Sequence, residues 1–179
     1  MHDLIIRNGT IIDGTGTPGY VSDVAVDHGR ITEIGSGLSF GHREIDAADL
    51  LVLPGWVDVH AHYDGQATWD PYLTPSSWHG VTTTVFGNCG VGFAPIRPGT
   101  EEYLINLMQG VEDIPGTVLS EGIDFCWESF PQYLDVLETM PRVMNIGAQV
   151  PHGALRFYVM GERGANHKEV PTSREIDQM

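Results

Sequence analysis

Basic side chains are scarce. Nine lysines and arginines stand against 24 aspartates and glutamates in 179 residues, a formal net charge of −15 with neutral histidines. Phosphate contacts need Lys and Arg, so this balance argues against nonspecific binding to nucleic acid or to an anionic membrane. It favours solubility and says little about fold. Cysteine is nearly absent too. Cys89 and Cys126 could pair on arithmetic alone, but two cysteines make no disulfide framework. No apolar stretch approaches the ~20 residues of a membrane span. Met1-His2-Asp3 is not followed by the basic region and long apolar run of a secretory signal. The expectation is a cytoplasmic chain with reduced thiols, in which the glycosylation-like Asn8-Gly9-Thr10 has no consequence.

What is present suffices for a core. Hydrophobic residues make up 41% of the chain, enough for one domain or one and a half. The first fifty residues read as short strands with turns. Leu4-Ile5-Ile6-Arg7 and Thr10-Ile11-Ile12-Asp13 flank Asn8-Gly9, a hairpin signal. Val21–Asp27 alternates, His28-Gly29 turns, and Arg30–Ile34 returns. Glu44–Ala47 and Leu50–Leu53 follow. This predicts a small antiparallel, sandwich-like β module over residues 1–53. Gly14–Gly19 matches the GxGxxG pattern. A dinucleotide site needs those glycines to open a helix, whereas here Pro18 interrupts the motif and a strand-like run follows.

From Pro54 onward strands alternate with helical segments. Leu104, Ile105, Leu107 and Met108 fall at helix-like spacing. Ser129 is placed to cap a helix with Pro131 in its first turn, and Tyr133, Leu134, Val136 and Leu137 would form its buried face. Arg142–Val150 reads as a third strand. Thr172 and Glu175 form a capping-box pair for a helix that begins just before Met179. Alternation of this kind argues for parallel βαβ units. A (β/α)8 barrel typically needs ~250 residues, so three convincing strands cannot close one. The fold expected over 54–179 is therefore α/β, the first part of an incomplete barrel.

The chemistry concentrates at two strand ends. Val57-Asp58-Val59-His60-Ala61-His62-Tyr63-Asp64 follows the turn Pro54-Gly55. On a strand, residues two apart face the same way, about 7 Å apart at their Cα atoms. His60 and His62 would then project side by side, and two imidazoles can grip one divalent metal. A metal there implies polarised carbonyls and activated water, hence hydrolysis; the plain alternative is a surface histidine pair. Val81–Phe86 is a second β-branched run, leading into Gly87-Asn88-Cys89-Gly90. A Cys89 thiolate would be a strong zinc ligand able to bridge two ions. A lone cysteine is more commonly a small buried hydrophobe.

These segments together resemble the amidohydrolase superfamily. The entry Leu53-Pro54-Gly55-Trp56-Val57-Asp58-Val59-His60-Ala61-His62 looks like the approach to its first barrel strand and would also suit dihydroorotase, hydantoinase or urease relatives. Gly80–Thr84 with Gly87-Asn88-Cys89-Gly90 and Ala94-Pro95 is narrower. It resembles the D-aminoacylase (N-acyl-D-amino-acid deacylase) branch, as do Val111–Pro115, Trp127–Phe130 and Val150–Arg156. That branch uses a strand-two cysteine as metal ligand where other members use a carboxylated lysine.

The resemblance implies a zinc-dependent hydrolase of N-acyl-D-amino acids holding one or two ions. His60, His62 and Cys89 match its ligands. Its other two histidines and its catalytic aspartate lie on later strands, matched by nothing here. The implied partners are the small-molecule substrate and the remaining barrel half, as a second polypeptide or a C-terminal continuation. Three further residues are candidates for contact with substrate. Asp64 could orient a ligand or cap its loop, and His152 could line the pocket or bond locally. Arg156 could grip a carboxylate bidentately or form a structural salt bridge. Asp58 could support the site from behind, and Trp69, Tyr72 and Trp78 could wall an acyl pocket or pack in the core. His28, His42, His79 and His167 read as surface or structural. Two rival readings stand beside this one. One is an inactive split half-barrel that binds metal or serves assembly; the other is a cyclic-amide or dipeptide hydrolase on the same scaffold.

Overall fold

The computed structural model describes residues 1–112 and 114–179. Asp113, within one of the segments that carry the resemblance, lies outside them. Packing divides the chain into two units, Met1–Gly55 and Trp56–Met179.

The first unit is a single five-stranded sheet: β1 (His2–Ile11), β2 (Tyr20–Asp27), β3 (Arg30–Gly35), β4 (Gly41–Asp46) and β5 (Leu51–Val52). The order is β3-β2-β1-β4, with β5 also on β1. β1–β2 and β2–β3 are antiparallel, whereas β4 and β5 join β1 in parallel. The sheet is therefore mixed, not the antiparallel sandwich expected. The cause is at Asn8-Gly9, which does not turn. Asn8 takes φ 61° and the register against β2 shifts between Ile6 and Gly9, which marks a bulge inside one long strand. Carboxylates on neighbouring strands take up its polar groups. Asn8 N donates to Asp23 Oδ1 at 2.9 Å and Asn8 Nδ2 to Asp46 Oδ1 at 3.2 Å. The hairpin at His28-Gly29 forms as read, with φ 52° and 72° suited to a two-residue turn between twisted strands. Gly14–Gly19 leads into β2 and opens no helix.

The second unit carries a parallel sheet, β6 (Trp56–Asp58), β7 (Val81–Phe86) and β8 (Asn145–Ala148), in that order. Its helices are α1 (Glu101–Glu112), α2 (Gly116–Gly122), α3 (Phe130–Thr139), α4 (His152–Met160), α5 (Glu162–Ala165) and α6 (Ser173–Gln178). The core gathers Phe86, Phe93, Leu104, Met108, Leu119, Trp127, Tyr133 and Leu137. On α3, Tyr133 and Leu137 are buried while Leu134 faces out. Ser129 and Gln132 close a reciprocal cap at the start of α3, as Thr172 and Glu175 do for α6. β8 is shorter than Arg142–Val150, because Val143 N is engaged by Pro71 O instead of a neighbouring strand. Three helices, α2, α4 and α5, escaped the sequence pattern. Pro151-His152-Gly153 directly follows the stretch read as the third strand yet starts α4, with Pro151 just ahead of the first turn; α2 and α5 are too short for periodicity to show.

Candidate metal centre

β6 ends at Asp58, two residues before His60, so the histidine pair lies beyond the strand and not on it. Asp58 Oδ1 accepts from His60 N at 3.0 Å and bends the chain there. The segment is then recaptured by β7, Ala61 N donating to Val85 O at 3.0 Å. The imidazoles of His60 and His62 stay close, with ring centroids 5.5 Å apart and planes inclined by 59°.

Cys89 arrives from the end of β7. Gly87 (φ 83°), Cys89 (φ 54°) and Gly90 (φ 76°) all take left-handed backbone, which reverses the chain within four residues. A Cβ on Gly87 would lie 2.2 Å from the Gln149 carbonyl oxygen, and one on Gly153 would lie 2.6 Å from that of Gly90. The Cys89 loop is thus pressed against the end of β8 and the start of α4 at two points where only glycine fits.

These turns bring His60 Nε2 to 3.2 Å from Cys89 Sγ. One donor atom from each of His60, His62 and Cys89 lies within 4.8 Å of the others, and this is the one such trio among the described residues. Two imidazole nitrogens and a sulfur are a zinc donor set. Their spacing fits metal–ligand distances of about 2.0–2.3 Å around a shared ion. Cys89 and Cys126 are both free thiols.

Cavities flank the trio. One of about 330 Å³ is lined by Asp58, His60, His62, Gln66 and Ser76. Another of about 260 Å³ is lined by Cys89, Tyr103, Leu107, His152, Arg156 and His167. His152 and His167, the latter read as a surface or structural residue, both border this second cavity. Arg156 makes no salt bridge among the described residues. Its Nε donates to Gly164 O at 3.0 Å and its Nη2 to the carbonyls of Asn166 and Glu169, so it ties down the segment after α4. Asp64 is 2% exposed, set against Gly92 and Tyr133 and outside both cavity walls. Tyr133 Oη donates to Asp64 O at 2.6 Å, and burial, then the Asp64 charge, push the phenol well above its ordinary range. Trp69 packs on Gly122, Tyr72 and Trp78 are exposed, and none of the three walls either cavity.

A model of the amidohydrolase family matches residues 43–176. The chain belongs to the amidohydrolase family. It is 35% identical over 177 residues to D-aminoacylase of Alcaligenes xylosoxydans xylosoxydans, covering 97% of this chain and 34% of that protein. N-acyl-D-aspartate deacylase of the same organism is 34% identical over 166 residues, 90% of this chain and 30% of that one. The crystal structure of D-aminoacylase superposes with a TM-score of 0.78 at 34% identity, over 99% of this chain and 34% of that one. N-acyl-D-glutamate deacylase from Bordetella bronchiseptica, solved with zinc and a phosphonate inhibitor, gives 0.73 at 31% identity, over 98% and 34%. This amidohydrolase chain thus spans about a third of the length of these relatives. No helix among its described residues is long and apolar enough to cross a membrane.

Proposed function

We propose that this chain contributes the zinc-binding part of an amidohydrolase that cleaves the amide of N-acyl-D-amino acids to a D-amino acid and a carboxylic acid. The observation that carries the reading is the convergence of His60, His62 and Cys89 within 4.8 Å. The D-aminoacylase and deacylase relatives support the substrate class. A zinc ion held by His60, His62 and Cys89 would supply Lewis acidity for the amide carbonyl and would make water more acidic. The chain's own part would be to hold the ion with His60 and His62, which border a cavity of about 330 Å³, and with Cys89, which borders one of about 260 Å³. The general base and further ligands come from later strands, in a continuation of the polypeptide or in a second chain.

Two measurements test this. Zinc competition against a chromophoric chelator should show tight binding by the chain, weakened strongly by Cys89→Ala and by His60→Ala. The chain joined to the later strands should release D-amino acid from N-acetyl-D-amino acids, and chelation should stop it. The 179-residue chain alone should release none. Zinc affinity indifferent to both substitutions would overturn the metal assignment. Turnover by the chain alone would show that it already holds the base.

A further inference from the structure

We infer that Asn88 is a positioning residue for the metal trio: its side-chain amide holds the His60–His62 segment in register with Cys89. This rests on the metal reading above for its consequence, though not for its geometry. Asn88 precedes Cys89 and is half-buried. Its Nδ2 donates to Val85 O at 2.9 Å and to Ala61 O at 3.2 Å. Ala61 is the residue between the two histidines. The Oδ1 of the same amide accepts from Gln149 Nε2 at 3.1 Å, and Gln149 N donates to Phe86 O at 2.9 Å. One planar amide therefore links the segment after β6, the end of β7 and the segment after β8.

The chemistry of the three contacts fixes the amide's orientation. Two carbonyls need a donor and one amide N–H needs an acceptor, which Asn supplies on one rigid plane. Serine has one proton for two carbonyls. Aspartate would turn a carboxylate oxygen towards two carbonyl oxygens. The need for such a clamp follows from where the strand ends. β6 stops at Asp58, so His60 and His62 have no continuous ladder to hold them. Past that point Ala61 N to Val85 O ties the segment to β7, and Asn88 Nδ2 to Ala61 O and the His60–Cys89 contact are among the bonds that tie it to the Cys89 loop. Groups that orient metal ligands typically govern 10–100-fold in metal affinity.

The test has a metal-free arm and a metal arm. In the zinc-free chain, hydrogen exchange at the Ala61 amide should accelerate at least tenfold in Asn88→Ala and in the near-isosteric Asn88→Asp, while the amides of α3 exchange as in the wild type. In the metal arm, cobalt(II) replaces zinc, and the thiolate-to-cobalt charge-transfer band reports Cys89 in the coordination sphere. Both variants should lose intensity in that band and bind zinc at least tenfold more weakly. Gln149→Ala, an exposed position that removes only the outer bond, should move both readouts in the same direction by less and covers the case in which the Asn88 variants fail to fold. Wild-type exchange at Ala61 with wild-type zinc affinity in the folded variants would overturn the inference. A wild-type chain with no thiolate band, but with Ala61 exchange sensitive to Asn88, would overturn the metal reading and leave the clamp standing.

Discussion

Replacing Gly87 by alanine tests the close approach that places Cys89. Two costs combine. Gly87 sits at φ 83°, where an added Cβ costs about 1–2 kcal/mol for an L-residue. That Cβ would also lie 2.2 Å from Gln149 O, 2.9 Å from Gln149 C and 3.1 Å from Gln149 N. All three are backbone atoms, so the strand end must move and not merely a side chain. Overpacking of that kind typically costs about 1–3 kcal/mol. The displaced backbone also carries the Gln149 N to Phe86 O bond, worth about 1 kcal/mol net. Gly99 provides the control: its φ is 85°, and an added Cβ would meet nothing within 4 Å. Gly99→Ala should therefore cost only the conformational part, about 1–2 kcal/mol. Gly87→Ala should cost at least about 3 kcal/mol. Urea unfolding of the two variants beside the wild type measures the difference, with equal slopes confirming a comparable transition. A Gly87→Ala cost within about 0.5 kcal/mol of the Gly99→Ala cost would refute the claim that the Cys89 loop is pinned by backbone contact with Gln149.

Ser129→Ala removes the side-chain acceptor of the α3 capping box and should lower stability by about 1 kcal/mol in the same unfolding assay. In the first unit the Thr32 hydroxyl, then the His2 ring and the Asp3 N–H, hold the Asp27 carboxyl well below the ordinary carboxylate range. A carboxyl lowered by folding stabilises above its unfolded pKa, near 3.9, and that contribution is lost as pH falls from there through the folded value. Asp27→Asn should accordingly flatten the acid limb of a stability profile below about pH 4. Arg156→Lys should not replace the guanidinium, because one ammonium cannot span the carbonyls of Gly164, Asn166 and Glu169. Limited proteolysis should then cut the 161–169 segment faster than in wild type.

Much of the site was legible in the sequence because its chemistry is written in residue types. His60, His62 and Cys89 are metal-ligand residue types that follow apolar runs closely, and Gly87 and Gly90 announce a backbone that turns where other residues resist. Helix caps were equally readable. Ser129 at the head of α3 and the Thr172–Glu175 pair act within four residues, so tertiary structure had little to add beyond Gln132 closing the α3 cap. The hairpin at His28-Gly29 is local in the same sense.

Only the tertiary structure decided contacts between distant segments. Asn8-Gly9 has the composition of a turn, but Asp23 and Asp46 on neighbouring strands satisfy its polar groups, so β1 runs straight through and the sheet becomes mixed. Arg156 carries a charge that suggests a carboxylate partner, yet three carbonyls of a folded-back segment reach it first. Asp64 lies two residues past a candidate ligand and is drawn into the core beside Tyr133. Asn88 looks like spacing before a cysteine until the ends of three strands meet around its amide. Sequence settled which donors were available and where the backbone could bend, because those depend on each residue and its neighbours. Which donors share one site depends on hydrogen bonds between residues as far apart as Ala61, Asn88 and Gln149, and these exist only in the folded chain.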